Sequence, residues 1–257
     1  MHLVTSRRDW RLGAWMLASW FHFTERAWNV IIHDDGTVPD EAVAVLQRLF
    51  PAARIIRRKE ADAALAPILV AFPFCETLRS DEPSALKIID TAHFCSGERF
   101  FVFDSDVLFF NYPRELVDWA VEGGDTYWFT EADADRTLLS AKEVRDELQV
   151  EAWPRVDTGI CLLHKPALDL DFMDRVLVET SILHGSLENA TRTLAMLCAA
   201  RSQKGGLLPR RYEVSQARTA AADAIGRHYT GEARTHFFDE GLPRVTPHLF
   251  APAEPSD

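Results

Sequence analysis

The sequence predicts an α/β fold with a mostly parallel central sheet flanked by helices. Short apolar runs alternate with longer runs of helical periodicity over the first hundred residues, the order that is typical of such sheets. Strand-like runs such as RFFVFD at 99–104 are strongly apolar, which indicates that they are buried. Hydrophobic residues make up 47% and charged residues 26% of the 257 residues, the proportions of a globular protein with a substantial core.

Each predicted element follows from its local pattern. Strands are predicted at 2–6, 28–36, 53–57, 99–104, 126–130 and 155–165. Helices are predicted at 8–23, 39–50, twice within 59–96, and at 170–184 and 188–201. Pro39 suits the first turn of its helix and Pro51 ends it. Residues 1–244 are assigned to one domain, and the Pro-rich, acidic segment 245–257 to a partly disordered tail.

Charge and cysteine content narrow the class of protein. The formal net charge is −11, so the chain as a whole repels a phosphate backbone and nucleic acid is not an expected partner. The four cysteines are widely separated and lack metal-binding spacing, which suits free thiols in a reducing cytoplasm. The apolar segment 12–23 is too short to span a membrane. We expect a cytoplasmic protein with no signal peptide or transmembrane segment; peripheral membrane contact stays open.

The segment RFFVFDSDVLFFN, residues 99–111, places two acids inside an apolar stretch. Burying two carboxylates is costly unless a cation lies beside them. Asp104 and Asp106 are two residues apart, so on an extended chain both carboxylates face one side while Ser105 faces the other. Hard oxygen ligands of this kind select Mg²⁺ or Mn²⁺ together with phosphate oxygens. The pair therefore predicts a metal site for a diphosphate.

Two further D-x-D matches occur, at 133–135 and 169–171. The first lies in a polar loop and the second at a predicted helix start, where acids are favoured in any case. Only the pair at 104–106 ends a strongly apolar strand. That position singles it out as the candidate metal site.

Polar residues also follow two other predicted strands. Thr5 and Ser6 end the first strand, and Asp34 and Asp35 end the second. Ligands of open α/β sheets bind beyond the carboxyl ends of the strands. We therefore expect these residues to converge with Asp104 and Asp106 on one site. The alternative is that Asp34 and Asp35 only stabilise the turn with Gly36.

These segments together resemble nucleotide-sugar glycosyltransferases of the GT-A fold, and in particular the retaining glycogenin-like or lipopolysaccharide galactosyltransferase family. The similarity lies in VIIHDDGT, in PSALKIID at 83–90, in VDTGICLLHK at 156–165, in LENATRTLAML at 187–197 and in GLLPRRYEV at 206–214. The resemblance implies a metal-dependent hexosyltransferase that takes a nucleotide-diphosphate sugar, a UDP-sugar foremost, and an unidentified acceptor.

The segment RHYTGEAR at 227–234 resembles the H-x-x-G-x-x-K motif of that family, with arginine in place of lysine. The resemblance implies that His228 is the third metal ligand and that Gly231 and Arg234 meet the diphosphate. Neutral imidazole binds Mn²⁺, glycine lets backbone approach phosphate, and arginine forks onto phosphate oxygens. The Pro-Trp that follows in the family is replaced by Thr235-His236.

The remaining site residues are assigned by the same resemblance. Donor contacts are expected from Thr5, Ser6, Asp34, Asp35, Lys87, Ser105, Gly231 and Arg234. Catalytic roles fall to Asp157, Glu188 and Asn189: Asn189 would line the anomeric carbon and Asp157 would position the acceptor or act as its base. Each also has a structural alternative, such as a surface lysine for Lys87 or a first-turn acid for Glu188. Retention of configuration is expected over inversion.

Two other functions stay open from the sequence. An apolar strand ending in D-x-D also occurs in haloacid-dehalogenase-like phosphatases, in which the first aspartate is the nucleophile. Those enzymes usually open their domain with the motif, whereas here it ends the fourth strand. An inactive protein that only binds sugar nucleotides is the other alternative.

Overall fold

The structure is a computed structural model that describes residues 1–180 and 182–250, apart from the side chain of Glu147. Its strands are β1 (His2–Thr5), β2 (Ile31–Asp34), β3 (Arg54–Ile56), β4 (Arg99–Asp104), β5 (Val107–Phe109), β6 (Tyr127–Glu131), β7 (Val156–His164), β8 (Gly205–Leu207), β9 (Tyr212–Val214) and β10 (Gly226–His228). Its α-helices are α1 (Trp10–Thr24), α2 (Asp40–Leu49), α3 (Arg58–Leu69), α4 (Pro73–Asp81), α5 (Asp90–Phe94), α6 (Arg114–Asp118), α7 (Ala141–Glu143), α8 (Leu170–Glu179), α9 (Leu187–Ala200) and α10 (Leu242–Leu249).

The central sheet has seven strands in the order β3-β2-β1-β4-β7-β6-β8. The four strands from β3 to β4 are mutually parallel, β7 runs antiparallel to β4 and β6, and β8 is parallel to β6. The predicted α/β fold with a mostly parallel sheet is confirmed. The carboxyl ends of β1, β2 and β4 lie side by side, because Val4 is level with Asp104 and Thr5 with Asp34.

Strand β4 shows why the sheet needs helices on both of its faces. Phe100 and Val102 belong to one apolar cluster and Phe101 and Phe103 to another, since alternate side chains of a strand point to opposite faces. Trp20 of α1 covers the second face, with ring centroids 5.3 Å from Phe101 and 5.0 Å from Phe103. The apolar run that predicted this strand therefore fills two hydrophobic layers.

A second sheet of three strands, β5-β10-β9, was not predicted. Strand β5 begins immediately after the D-x-D turn and pairs antiparallel with β10, so that Val107 lies opposite His228. The peptide NH of Tyr229 also donates to the carbonyl of Asp106 at 2.8 Å. This small sheet carries the C-terminal H-x-x-G motif to the D-x-D turn.

Several predicted boundaries need correction. Residues 58–94 contain three α-helices and a 3₁₀ turn at Pro83–Lys87 rather than two helices. The tail predicted from residue 245 begins inside α10, where Val245 is fully buried, so packing continues beyond the predicted domain end at 244. The rest of that prediction, at 251–257, lies outside the described residues.

Two findings bear on the composition-based expectations. All four cysteines are free and buried, as predicted. Within the part of the chain that the structure describes, no helix is both long and apolar enough to cross a membrane.

Candidate active site

A cleft of about 440 Å³ opens at the carboxyl ends of β1 and β4. Most of the predicted site residues line it, namely Thr5, Ser6, Asp35, Lys87, Asp104, Ser105, Asp106, Glu188, His228, Gly231 and Arg234. Asp34, Asp157 and Asn189 do not line it. Of the strand-end residues expected to converge, Thr5, Ser6, Asp35, Asp104 and Asp106 line one cleft and Asp34 does not.

Asp104 and Asp106 lie on either side of a tight turn, since β4 ends at Asp104 and β5 begins at Val107. Ser105, between them, turns towards β1, where its hydroxyl donates to the carbonyl of Val4 at 3.1 Å. The carboxylates are left facing the cleft, as the spacing predicted.

His228 completes a cluster with the two aspartates. Its Nε2 lies 3.4 Å from Asp104 Oδ2 and 3.2 Å from Asp106 Oδ1. One ligand atom from each of the three residues lies within 4.8 Å of the other two. Two carboxylates and one imidazole in this spacing form a donor set that suits Mn²⁺ or Mg²⁺.

Asp157 lies beside Nδ1 of His228 and does not line the cleft. Its Oδ1 is 2.8 Å from His228 Nδ1 and accepts from the NH of Gly159 at 2.9 Å and the hydroxyl of Thr130 at 3.0 Å. Asp157 is 1% exposed. Its carboxylate is buried and hydrogen-bonded to three partners, and its role in positioning the acceptor or acting as its base stays a prediction.

Gly159 leaves the space in which His228 packs. A Cβ at this position would lie 2.2 Å from Nδ1 of the imidazole. The small residue in the DTG segment of β7 is therefore required by the histidine ring, which the sequence alone could not show.

Positive charge surrounds the two aspartates. Lys87 Nζ lies 2.5 Å from Asp104 Oδ1, and Arg234 lies 3.9 Å from Asp106 Oδ2 while it also pairs with Asp9. Burial lowers the pKa of Lys87, but the Asp104 carboxylate outweighs it and raises that pKa above its ordinary value. Likewise, burial opposes the imidazolium, yet Asp157 and Asp106 raise the pKa of His228 well above its ordinary value. In the metal-free chain these cations offset the cost of burying the acids.

The two acids in the turn after β2, Asp34 and Asp35, have different surroundings. Asp34 is buried, and its Oδ1 accepts from the NH groups of Gly36 at 2.8 Å and Val38 at 3.0 Å. These contacts are those of the structural alternative, in which Asp34 stabilises its own turn, and a donor contact from Asp34 stays a prediction. Asp35 lines the cleft, although its Oδ1 also holds Thr37.

Glu188 and Asn189 begin helix α9 and are tied together by Arg192. The guanidinium donates to Asn189 Oδ1 at 2.8 Å and to Glu188 Oε1 at 3.3 Å, and it lies 3.7 Å from Asp157 Oδ2. Glu188 lines the cleft. Asn189 does not line it, and its amide oxygen accepts from Arg192; its place against the anomeric carbon stays a prediction.

Gly231 begins a short 3₁₀ segment, Gly231–Thr235, and Arg234 lies within it; both residues line the cleft. Gly231 has φ +61°, a conformation that glycine adopts at no steric cost. After the turn at Gly231 the chain continues to Arg234, which pairs with Asp9.

Asp9 and Arg192 line the cleft but were not predicted. A signal existed for Arg192, since it follows Glu188 by four residues on a helix and that spacing favours an ion pair. No sequence signal pointed to Asp9, because its ion-pair partner, Arg234, is 225 residues away in the sequence.

The architecture and the position of the cleft are those of the GT-A fold. No family model matches the chain, and no curated protein matches it. Solved protein structures do match the chain. The chain is similar to the galactosyltransferase LgtC, solved with donor and acceptor sugar analogues, at a TM-score of 0.62 and 12% identity over 100% of this chain and 98% of that one.

Two other solved structures share the fold. Mouse xyloside xylosyltransferase 1, in its apo form, matches at a TM-score of 0.54 and 13% identity over 98% of this chain and 93% of that one. The glycosyltransferase GlyE of Streptococcus pneumoniae matches at 0.52 and 10% identity over 90% of this chain and 54% of that one.

Proposed function

We propose that this chain is a metal-dependent glycosyltransferase that moves a sugar from a nucleotide-diphosphate donor to a hydroxyl acceptor. The observation that carries the proposal is the cluster of Asp104, Asp106 and His228 in a cleft at the carboxyl ends of β1 and β4. The GT-A fold and the printed names of the similar structures support it. The acceptor class, whether glycan, lipid or protein, is left to experiment.

Asp104, Asp106 and His228 would hold Mn²⁺ or Mg²⁺. When bound, such an ion neutralises the diphosphate and makes the nucleotide a better leaving group. Lys87 and Arg234 add two cations at the same place, each within 4.0 Å of one of the aspartates. Both side chains can turn from the carboxylates to phosphate oxygens when a donor enters, because arginine and lysine bind both groups.

The nucleoside would lie on the β1 side of the cleft. Thr5, Ser6, Asp35 and Ser105 line that side and offer hydroxyl and carboxylate groups to a ribose or base. Gly231 lies across from them with an unhindered backbone, which allows close approach to phosphate. We infer that a UDP-sugar is the first donor to test.

We infer that the configuration at the anomeric carbon is retained. An inverting enzyme needs a carboxylate within hydrogen-bonding reach of the acceptor hydroxyl. Asp157, which could have been that base, is buried and its Oδ1 accepts hydrogen bonds from three directions. Glu188 is on the cleft wall but is paired with Arg192. The departing phosphate is then left to accept the acceptor's proton.

Donor hydrolysis measured with a panel of UDP-, GDP-, CMP- and TDP-sugars tests the assignment. We expect hydrolysis of at least one donor with Mn²⁺ or Mg²⁺, its loss after chelation and its recovery when metal is restored. Asp104→Asn and Asp106→Asn should abolish it. Asp171→Asn is the matched control, because Asp171 belongs to another D-x-D match and is exposed on α8.

Three results would contradict the proposal. Full activity of the chelated protein would exclude metal dependence. Turnover of an aryl phosphate, with an adduct trapped on Asp104, would favour the phosphatase. Binding of a sugar nucleotide without turnover would indicate an inactive binding protein.

Proton NMR of the first-formed product tests the stereochemistry through the anomeric coupling constant. Retention gives a product with the donor's anomeric configuration. An inverted product, together with loss of turnover in Glu188→Gln, would instead identify Glu188 as the base of an inverting reaction.

A further inference from the structure

The ring of His228 is held from both sides. Its Nε2 faces Asp104 and Asp106, and its Nδ1 faces Asp157 at 2.8 Å. Asp157 comes from β7 in the central sheet, whereas His228 ends β10 in the small sheet. The contact therefore joins the two sheets at the site.

Asp157 is itself fixed in place. Its Oδ1 accepts from the hydroxyl of Thr130 and the NH of Gly159, and its Oδ2 faces the guanidinium of Arg192 at 3.7 Å. Both Asp157 and Arg192 are at least nine-tenths buried. A carboxylate held by three partners in this way has little freedom to turn away from the ring.

An ionised carboxylate can only accept hydrogen bonds. A neutral imidazole beside it must carry its proton on Nδ1, and its lone pair then lies on Nε2. In this chain, Nε2 is the nitrogen that faces the two aspartates. The arrangement selects the tautomer that can bind a metal ion.

We propose that Asp157, supported by Arg192 and Thr130, is the positioning residue that fixes the tautomer and orientation of His228 for metal binding. This inference rests on the proposed metal-dependent function and assigns to Asp157 a role away from the acceptor. Asp157 does not line the cleft of about 440 Å³. Its effect on the reaction passes entirely through His228.

The test is Mn²⁺ binding to the intact chain without any sugar nucleotide, followed by electron paramagnetic resonance. Spin-echo modulation from ¹⁴N reports whether an imidazole nitrogen is bound to the ion. We expect wild type and Asp171→Asn to bind Mn²⁺ with ¹⁴N modulation. We expect Asp157→Asn to bind about 10- to 100-fold more weakly, the range for lost outer partners of metal ligands, with weakened or absent modulation. A purely structural role would leave the modulation of the folded variant unchanged.

The possible results separate this inference from the proposed function. Wild type that binds no Mn²⁺ without a donor overturns this inference, whereas the proposed function is decided separately by the donor-hydrolysis assay. Wild type with ¹⁴N modulation and a folded Asp157→Asn variant with the same affinity and modulation contradict this inference alone. If circular dichroism shows that Asp157→Asn is unfolded, Thr130→Val replaces it. That variant removes one donor to Asp157 and should weaken binding severalfold, and unchanged affinity and modulation would overturn the inference.

Discussion

At the scale of single residues, Gly159 leaves the space in which the ring of His228, the proposed metal ligand, packs. We predict that Gly159→Ala lowers Mn²⁺ affinity at least about tenfold, because the added methyl would lie 2.2 Å from His228 Nδ1 and must displace the ring. Overpacking of this kind costs about 1 to 3 kcal/mol of unfolding free energy. Calorimetric titration with Mn²⁺ and urea unfolding measure the two effects.

Gly97→Ala is the matched control for that substitution. The nearest atom to a Cβ there is a backbone oxygen 3.7 Å away, so the methyl group fits. Equal Mn²⁺ affinity for the two alanine variants would show that the ring of His228 moves aside freely.

Arg234 is the side chain best placed to exchange its carboxylate partners for a phosphate group of the donor. It pairs with Asp9 and lies 3.9 Å from Asp106 Oδ2 at the cleft rim. We predict that Arg234→Gln raises the KM for the donor about 10- to 100-fold, since a hydrogen bond to a charged group is worth about 1.5 to 3 kcal/mol. Steady-state kinetics measure the KM. The control is Arg48→Gln, because Arg48 is an exposed arginine of α2. The same KM in both variants would exclude a phosphate contact by Arg234.

Residue types and spacing predicted that Asp104, Asp106 and His228 form one cluster, but they did not predict the groups behind that cluster. Asp104, Asp106 and His228 stand in recognisable motifs. The roles of Asp157 and Asn189 depend on which side chain packs beside them, and their partners, His228 and Arg192, lie on other elements or on the next helical turn. Asp34 did carry a local signal, since an aspartate two residues before glycine commonly caps its own turn.

At the scale of elements, a buried ion pair holds the segment that carries Lys87. Arg79 of α4 donates to both carboxylate oxygens of Asp90 in α5, at 2.7 and 2.9 Å, and the turn Pro83–Lys87 lies between them in the chain. The hydroxyl of Thr91 also donates to the carbonyl of Lys87 at 2.5 Å. The position of Lys87 thus depends on how α4 and α5 are clamped.

We predict that Asp90→Ala lowers the free energy of unfolding by about 3 kcal/mol, because it leaves Arg79 buried with only Asp62 as its partner. The double variant Arg79→Met/Asp90→Leu should recover most of that loss, since it removes both charges. Urea unfolding measures both variants. Glu151→Ala, which breaks the exposed pair with Arg145, should leave unfolding unchanged; a loss as large as that of Asp90→Ala would argue against burial as the cause.

The elements of the central sheet were largely predictable, whereas the small sheet was not. Apolar runs and prolines marked β1 to β4 and the helices between them. Strands β5, β9 and β10 have three residues each, too few for a periodicity to appear. Their pairing is fixed by contacts between distant parts of the chain, which local patterns do not record.

At the scale of the whole molecule, two buried histidines make folding sensitive to acid. His2 of β1 and His33 of β2 share a hydrogen bond of 2.9 Å between Nδ1 and Nε2. Burial first, and then nearby positive charge, lower the pKa of His2 to about 2 and that of His33 to about 3. Both rings are therefore neutral in the folded protein at any pH near neutrality.

Their contribution to stability is complete above pH 6.5, the ordinary histidine pKa, and is lost as the pH falls. Below that value the unfolded chain binds protons that the folded chain cannot bind until about pH 3. We predict a loss of about 1.4 kcal/mol per pH unit for each histidine. Urea unfolding at pH 7, 6 and 5 measures it, and the His2→Asn/His33→Gln variant should show a shallower slope; equal slopes would refute the assignment.

The pairing of β5 with β10 has a consequence for biosynthesis. Strand β5 leaves the ribosome more than a hundred residues before β10 does, a delay on the order of ten seconds at usual rates of translation. During that delay Val107, Leu108 and Phe109, which are fully buried in the finished protein, present an apolar edge without its partner strand. Such an edge invites pairing with other chains. The nascent chain is therefore expected to need a chaperone until its H-x-x-G segment arrives, and the candidate active-site cleft is among the last parts of the molecule to form.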